Sequence, residues 1–344
     1  MSKNGNETVK MYYFIYAEHL LGVKTNDPSF KWIYGTAAPN ASEDDFDKCL
    51  VKLIVEKQND KGINIPHKNV FQCFSWDSDK KILGYSRKVL GIPLKYSMKF
   101  STNCIYVQIG RNYDRFVKCR FMNLHSTYYL LSDIANMFLL KNGYITLYCS
   151  SVTHKNTGRT FAFFAPPNTG KSITVEMLHK TGKYTIISED IAIMDFKMNI
   201  TGCKWTKTYR KSKPSKKYLV DTAGVFSHES YDKCCNLLCE GRSMSCQLSD
   251  LILLSINQND EKIDVESIKR KILILNRYLF GGYGTPIINV MAFCDGEYEY
   301  NWQTVAENIL KQAFSKCKLS EIACEYPMFF AQIIDEKVNI QHEN

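Results

Sequence analysis

Residues 165–172 read Ala-Pro-Pro-Asn-Thr-Gly-Lys-Ser. A small residue, four residues, then Gly-Lys-Ser is the phosphate-loop spacing in its relaxed form, with Ala165 at the first small position. These residue types suit one chemistry. Backbone N–H groups in such a loop, and the N-terminus of the helix after it, turn positive partial charge toward phosphate. Lys171 would reach β- and γ-phosphates, and the Ser172 hydroxyl would sit on Mg²⁺. The expected nucleotide-binding set is Ala165, Pro166, Pro167, Asn168, Thr169, Gly170, Lys171, Ser172 and Ile173. The two prolines donate no N–H and make the loop stiffer than most.

A second group of candidates follows in "YTIISEDIAIMD" (184–195), where Glu189 and Asp190 stand between two apolar runs. Adjacent acids at the end of a strand can face the same phosphates. One could hold Mg²⁺ through oxygen, and the other could take a proton from an attacking hydroxyl. The expected metal ligands are therefore Ser172, Glu189 and Asp190, and the expected catalytic residues Asp190, Glu189 and Lys171. Asp190 is assigned as the base, although spacing does not order the two acids. The bland alternative is a solvated acidic turn.

Positioning these residues requires a strand before the loop and a helix after it. "TFAFFA" (160–165) reads as the strand, and "KSITVEMLHKTG" (171–182) as the helix, with Ile173, Met177 and Leu178 on one face and Gly182 as its stop. Upstream, "YITLYCSSV" (144–152) predicts another strand and "THKNTGR" (153–159) a turn. "LHSTYYLLSDIANMFLLKNG" (124–143) predicts a helix with Tyr128, Leu131, Ile134, Ala135, Phe138 and Leu139 inward, ended by Gly143. Before that, alternation and aromatic content predict strands in 11–17, 30–35, 50–56, 70–76, 104–110 and 115–122, with turns at 42–47 and 77–81. The domain reading is a β-rich N-terminal domain over 1–122 and a nucleotide-binding domain over 123–344.

The chain has 344 residues, 45% hydrophobic and 23% charged, which is ordinary for a globular protein with real cores. Thirteen cysteines in that length do not form a disulfide framework. The opening residues lack the apolar core of a secretory signal, and no run approaches the ~18–20 apolar residues of a membrane span. The expectation is a cytoplasmic protein with reduced thiols and no membrane association. The net charge of +9 suits an anionic partner without calling for nucleic acid, which is not expected as a partner.

Over 147–193, "LYCSSV … GRTFAFFAPPNTGKSITVEMLHKTGKYTIISEDIAI" resembles the HPr kinase/phosphorylase group, whose nucleotide core is similar to that of the phosphoenolpyruvate carboxykinases. The resemblance extends over roughly half the chain and is specific only in this stretch. It implies an α/β fold with an HPr kinase-like phosphate-loop core, α+β overall once the β-rich N-terminal domain is counted. It also implies ATP and Mg²⁺ as cofactors. The implied activity is a kinase moving the γ-phosphate to a serine or similar hydroxyl of a protein, peptide or small molecule. It carries nucleotide and metal binding to Lys171 and Ser172, and metal binding and proton removal to Glu189 and Asp190. Better-known members assemble as rings, so a homo-oligomer is compatible. One departure stands out: Tyr148 occupies the place where the family often has His, and a phenol with an ordinary pKa of about 10 cannot act as that His would at neutral pH.

Two rival readings stay open. "VDTAG" (220–224) and "LILLSINQND" (251–260) imitate GTPase switch and base-recognition motifs, although Gln258 replaces the expected Lys. A nucleotide-binding protein that has lost transfer is the other, motivated by Tyr148. The basic run 204–217, with Trp205 and Tyr209 among seven cations, is either an acceptor-docking loop, with Arg210 as the residue to test, or a solvated face. Cys234, Cys235, Cys239 and Cys246 lack the second ligand pair that zinc needs and are read as free thiols. "FGGYGTP" (280–286) reads as a turn. "ESIKRKILILNRYLF" (266–280) reads as a helix with Ile268, Ile272, Leu275 and Leu279 inward and Arg277 complementing its dipole.

Overall fold

The computed structural model describes residues 10–17, 19–28, 30, 32–34, 41–118, 126–203, 245–256, 264–277, 287–294 and 302–340. Within them the protein is a mixed α/β structure with two large mixed sheets.

The first sheet runs in the order β1-β2-β3-β8-β7-β6-β5-β4. Its strands are β1 (Tyr12–Ala17), β2 (Leu21–Thr25), β3 (Val51–Gln58), β4 (Asn69–Phe71), β5 (Phe74–Asp77), β6 (Ile82–Val89), β7 (Ile92–Phe100) and β8 (Cys104–Gly110). Alternation decides which face is buried: Val51, Leu53 and Val55 of β3 are fully buried, while Lys52, Ile54 and Glu56 are half-buried. β2, β3 and β8 are parallel neighbours, and β4 to β8 pair antiparallel in sequence order.

Four expectations for this region need correction. Residues 42–47 form not a turn but a short helix, α1 (Glu43–Asp47), because Ser42 and Asp45 make a reciprocal capping box. The strand expected over 115–122 is helix over its first part, within α2 (Arg111–Lys118). Its apolar residues satisfy helical spacing as well as alternation, and Asp60 settles the matter by accepting the Asn112 N–H in the first turn. The strand expected over 70–76 is a hairpin, β4 and β5, reversing at Gln72 with φ +45°. The strand expected over 30–35 has only an isolated bridge at Trp32 among its described residues, followed by a turn.

Helix α3 (Thr127–Lys141) follows. Its residues 130–140 are buried without exception, so it is enclosed on all sides rather than amphipathic. Gly143, at φ +80°, ends it as expected. The second sheet has the order β12-β10-β11-β15-β14-β13-β9, with β16 on β15. Its strands are β9 (Tyr144–Tyr148), β10 (Ser150–His154), β11 (Thr160–Phe164), β12 (Tyr184–Ser188), β13 (Ile191–Asp195), β14 (Asn199–Gly202), β15 (Ser245–Ile256) and β16 (Lys318–Cys324). Its helices are α4 (Lys171–Lys180), α5 (Val265–Arg277), α7 (Trp302–Lys316) and α8 (Phe329–Ile340); α6 (Ile287–Cys294) lies between α5 and α7 in the chain. One compact unit carries β1–β8, α1, α2, most of α3 and α6, and the other carries the remaining elements.

Three strands of the second sheet, β11, β15 and β16, lie parallel side by side. Phe161, Phe163 and Ala165 alternate onto the same face as Ile252, Leu254 and Ile322. Val175 and Leu178 of α4, with Phe330, Ile334 and Val338 of α8, cover that face. This core fixes the strand end and the helix start on either side of residues 165–170. No helix among the described residues is long and apolar enough to cross a membrane.

Candidate functional site

β11 ends at Phe164, α4 begins at Lys171, and the chain between them reverses tightly. Two residues supply the reversal with left-handed backbone, Asn168 at φ +66° and Gly170 at φ +111°. Gly170 is also the N-cap of α4, and its carbonyl accepts hydrogen bonds from the Thr174 N–H and hydroxyl. No side chain caps the helix, so its first N–H groups are left to the loop side. Pro166, Pro167, Asn168 and Ile173 are exposed; Ala165, Thr169 and Lys171 are buried.

Lys171 is a buried ammonium at the centre of this turn. Its Nζ donates to the carbonyl oxygens of Ala165 (2.8 Å) and Pro166 (3.4 Å) and stands 4.2 Å over the ring centroid of Tyr148. Burial pushes its pKa below the usual lysine value, while Asp190 works against that fall. Tyr148, which sequence reasoning treats only as a missing histidine, is thus a cation–π platform for the loop lysine.

The acid pair sits where two strands change partners together. The run expected as one strand over 144–152 breaks at Cys149: β9 pairs with β13, and β10 pairs with β12. Glu189 and Asp190 are the break between β12 and β13. Serines fasten the crossing. The Ser150 hydroxyl donates to the Glu189 carbonyl, the Ser151 and Ser188 hydroxyls share a 2.7 Å hydrogen bond, and the Ser188 hydroxyl donates to the Cys149 carbonyl at 3.2 Å. Beside it, Gly202 of β14 passes so close to β12 that a Cβ would fall 1.6 Å from the Ile187 carbonyl oxygen.

Burial dominates the electrostatics of both acids. It pushes the Glu189 carboxyl up to about 7; a hydrogen bond from Ser172 opposes that rise and the charge of Asp190 adds to it. Glu189 Oε2 is buried with no hydrogen-bond partner. Asp190 is pushed up to about 6 by burial, with Lys171 pulling it back down. Burial also raises the Cys149 thiol, to about 12, so it is inert at neutral pH. Ser172 therefore bonds Glu189, and the charges of Lys171 and Asp190 act on each other, although the sequence separates them by a helix and a strand.

Two further residues of the site escape sequence reasoning. Asn276 of α5 accepts the Tyr148 N–H (2.9 Å) and donates to the Thr146 carbonyl (3.1 Å), holding the C-terminal end of β9. Pro327 packs on Gly170 from the far end of the chain. Asn276 falls four residues after Ile272 on the apolar face of an amphipathic helix, which is the signal the sequence offers for it; Pro327 offers none. Arg277 pairs with Glu307 of α7. The basic run 204–217 with Arg210, the "VDTAG" segment, residues 257–260, Cys234, Cys235, Cys239 and "FGGYGTP" lie outside the described residues. Cys246 lies on β15.

Ser172, Glu189 and Asp190 make an all-oxygen donor set, and the orphaned Glu189 Oε2 is a buried acceptor with no hydrogen-bond partner, so the residues suit a small hard cation such as Mg²⁺. Among the described residues there is no group of three His, Cys, Asp or Glu side chains placed to hold a metal by themselves. Comparison of the chain with protein-family models and with curated proteins returns no match.

Proposed function

We propose that the protein is an ATP-dependent phosphotransferase of HPr kinase-like type, which moves the γ-phosphate to a hydroxyl of a protein, peptide or small molecule. One observation carries the reading: the lysine and serine that open the helix after a strand–loop turn interact, Lys171 through its charge with a half-buried Asp190 and Ser172 by a hydrogen bond with a buried Glu189, and the chain delivers both acids at a strand crossing. A solvated acidic turn would not bury Glu189 or leave its Oε2 without a partner.

Each residue has a role in this scheme. The N-terminus of α4 and the turn before it seat phosphate. Lys171 leaves the carbonyls of Ala165 and Pro166 for phosphate oxygens, keeping its place over Tyr148. Ser172, Glu189 and Asp190 would hold Mg²⁺, which would supply positive charge to the phosphates. Asp190 takes the proton from the acceptor hydroxyl. A carboxyl raised to about 6 is a better base near neutrality than one at its ordinary value, while still ionised there. The proposed setting is the cytoplasm, with a hydroxyl-bearing acceptor as partner.

Calorimetry of ATP and GTP, with and without Mg²⁺, on the wild type and Lys171→Ala tests this. Mg²⁺-dependent ATP binding that disappears in Lys171→Ala supports the proposal. GTP preference would favour the switch-protein reading, and unchanged binding in the variant would remove the loop from the site.

A further inference from the structure

The parallel strands β11 and β16 flank β15 and send their chains out at the same end of the sheet. Carboxyl ends of parallel strands are where open α/β sheets collect ligands. β11 leads into residues 165–170, and β16 into the turn 325–328. The two meet: a Cβ on Gly170 would fall 2.4 Å from the Pro327 Cβ. The turn is held firmly. The Tyr326 carbonyl accepts from the Cys324 thiol (3.1 Å) and from the Phe329 N–H (3.1 Å). Just beyond, Phe330 is fully buried in the core with Ala165 and Val175.

On this anchored turn the chain leaves large apolar groups in water. Tyr326 is 56% exposed, Met328 55% and Phe329 44%, and Ile173, in the first turn of α4, is 47% exposed. The Tyr326 and Phe329 rings meet edge to face at 6.1 Å. A charged seat for phosphate therefore adjoins a rigid patch with open aromatic faces, and these are the two halves of nucleotide chemistry.

We propose that Tyr326, with the Phe329 ring against it, is the seat of the nucleobase, which stacks on the Tyr326 ring while the phosphates occupy the loop. The inference rests on the nucleotide reading above. Continuity of the patch with the loop, through the Pro327–Gly170 contact, argues for a base rather than a separate partner. Stacking accepts any base, so the turn supplies affinity for a base without choosing among bases.

Calorimetry with Mg²⁺ comparing ATP and inorganic triphosphate, which has no base, tests it. Tyr326→Ala is expected to weaken ATP about tenfold and leave triphosphate within about twofold, whereas Tyr326→Trp keeps ATP affinity. Unchanged ATP affinity in both Tyr326→Ala and Phe329→Ala would overturn the base seat while leaving the phosphate loop standing. Equal loss of ATP and triphosphate would also overturn it, since the effect would then lie in the loop. A wild type that binds neither ligand would overturn the nucleotide reading and this inference with it.

Discussion

Glu189→Gln should make the protein more stable, and increasingly so as pH rises. The Glu189 carboxyl sits at about 7 in the folded protein against an ordinary 4.5. The folded state therefore holds this proton more tightly than the unfolded chain does. Its contribution is fully present below pH 4.5 and is lost as pH rises through 7. At about 1.4 kcal/mol per pH unit, the interval from 4.5 to about 7 amounts to about 3 kcal/mol against folding above neutrality. Glutamine has no proton to lose and can still bond Ser172. The stability difference between variant and wild type should thus grow by about 3 kcal/mol between pH 4.5 and pH 8 and level off outside that interval. Urea unfolding in chelator, read by hydrogen exchange on peptides covering β12 and β13, reports the unit that holds Glu189. Subtracting wild type at each pH removes the titrations that do not couple to Glu189, leaving its own and that of Asp190 beside it. A flat difference would refute the claim that a desolvated carboxyl is kept there against its own solvation.

Asp190→Asn should lower transfer by about 100-fold or more at saturating ATP and Mg²⁺, and wild-type transfer should rise with pH through about 6 as that carboxyl ionises; equal transfer in the variant removes Asp190 from the base role. Gly202→Ala should cost several kcal/mol or prevent folding, because the new methyl would meet the Ile187 carbonyl rather than a movable side chain; a thermal midpoint within about 2 °C of wild type would contradict that close approach. Asn276→Leu should cost about 2–5 kcal/mol by orphaning the Tyr148 N–H and the Thr146 carbonyl, seen as a lowered urea midpoint; no change would mean that water serves both groups equally well.

Local chemistry was legible, and assembly was not. Gly143, the strand of 160–164, the helix from Lys171 and the acids between two strands could all be read because each depends on nearby residues. The helix at 111–118 and the capping box at 42–45 were missed where a short apolar run fits two periods, or where one hydrogen-bonded pair decides the matter. The break at Cys149 was hidden because a strand that changes partners carries the same alternation as one that does not. Tyr148 shows the limit of matching by position. The residue that looked like a loss supports the lysine ammonium, and only its distance to Nζ reveals that.

The Pro327–Gly170 contact has a consequence in time. The loop at 165–172 leaves the ribosome long before Leu248–Leu253 exist to flank β11, and longer still before Phe330 and Pro327 can close over it. Parallel pairing across such sequence distances is slow to form and cannot be rehearsed locally. A nascent chain halted before β16 would carry the whole signature in its sequence and still lack Ile322, Pro327 and Phe330 from the floor beneath it. The turn at 165–170 would be completed only as residues 318–330 fold against it, so the last part of the chain to be made is the part that closes it.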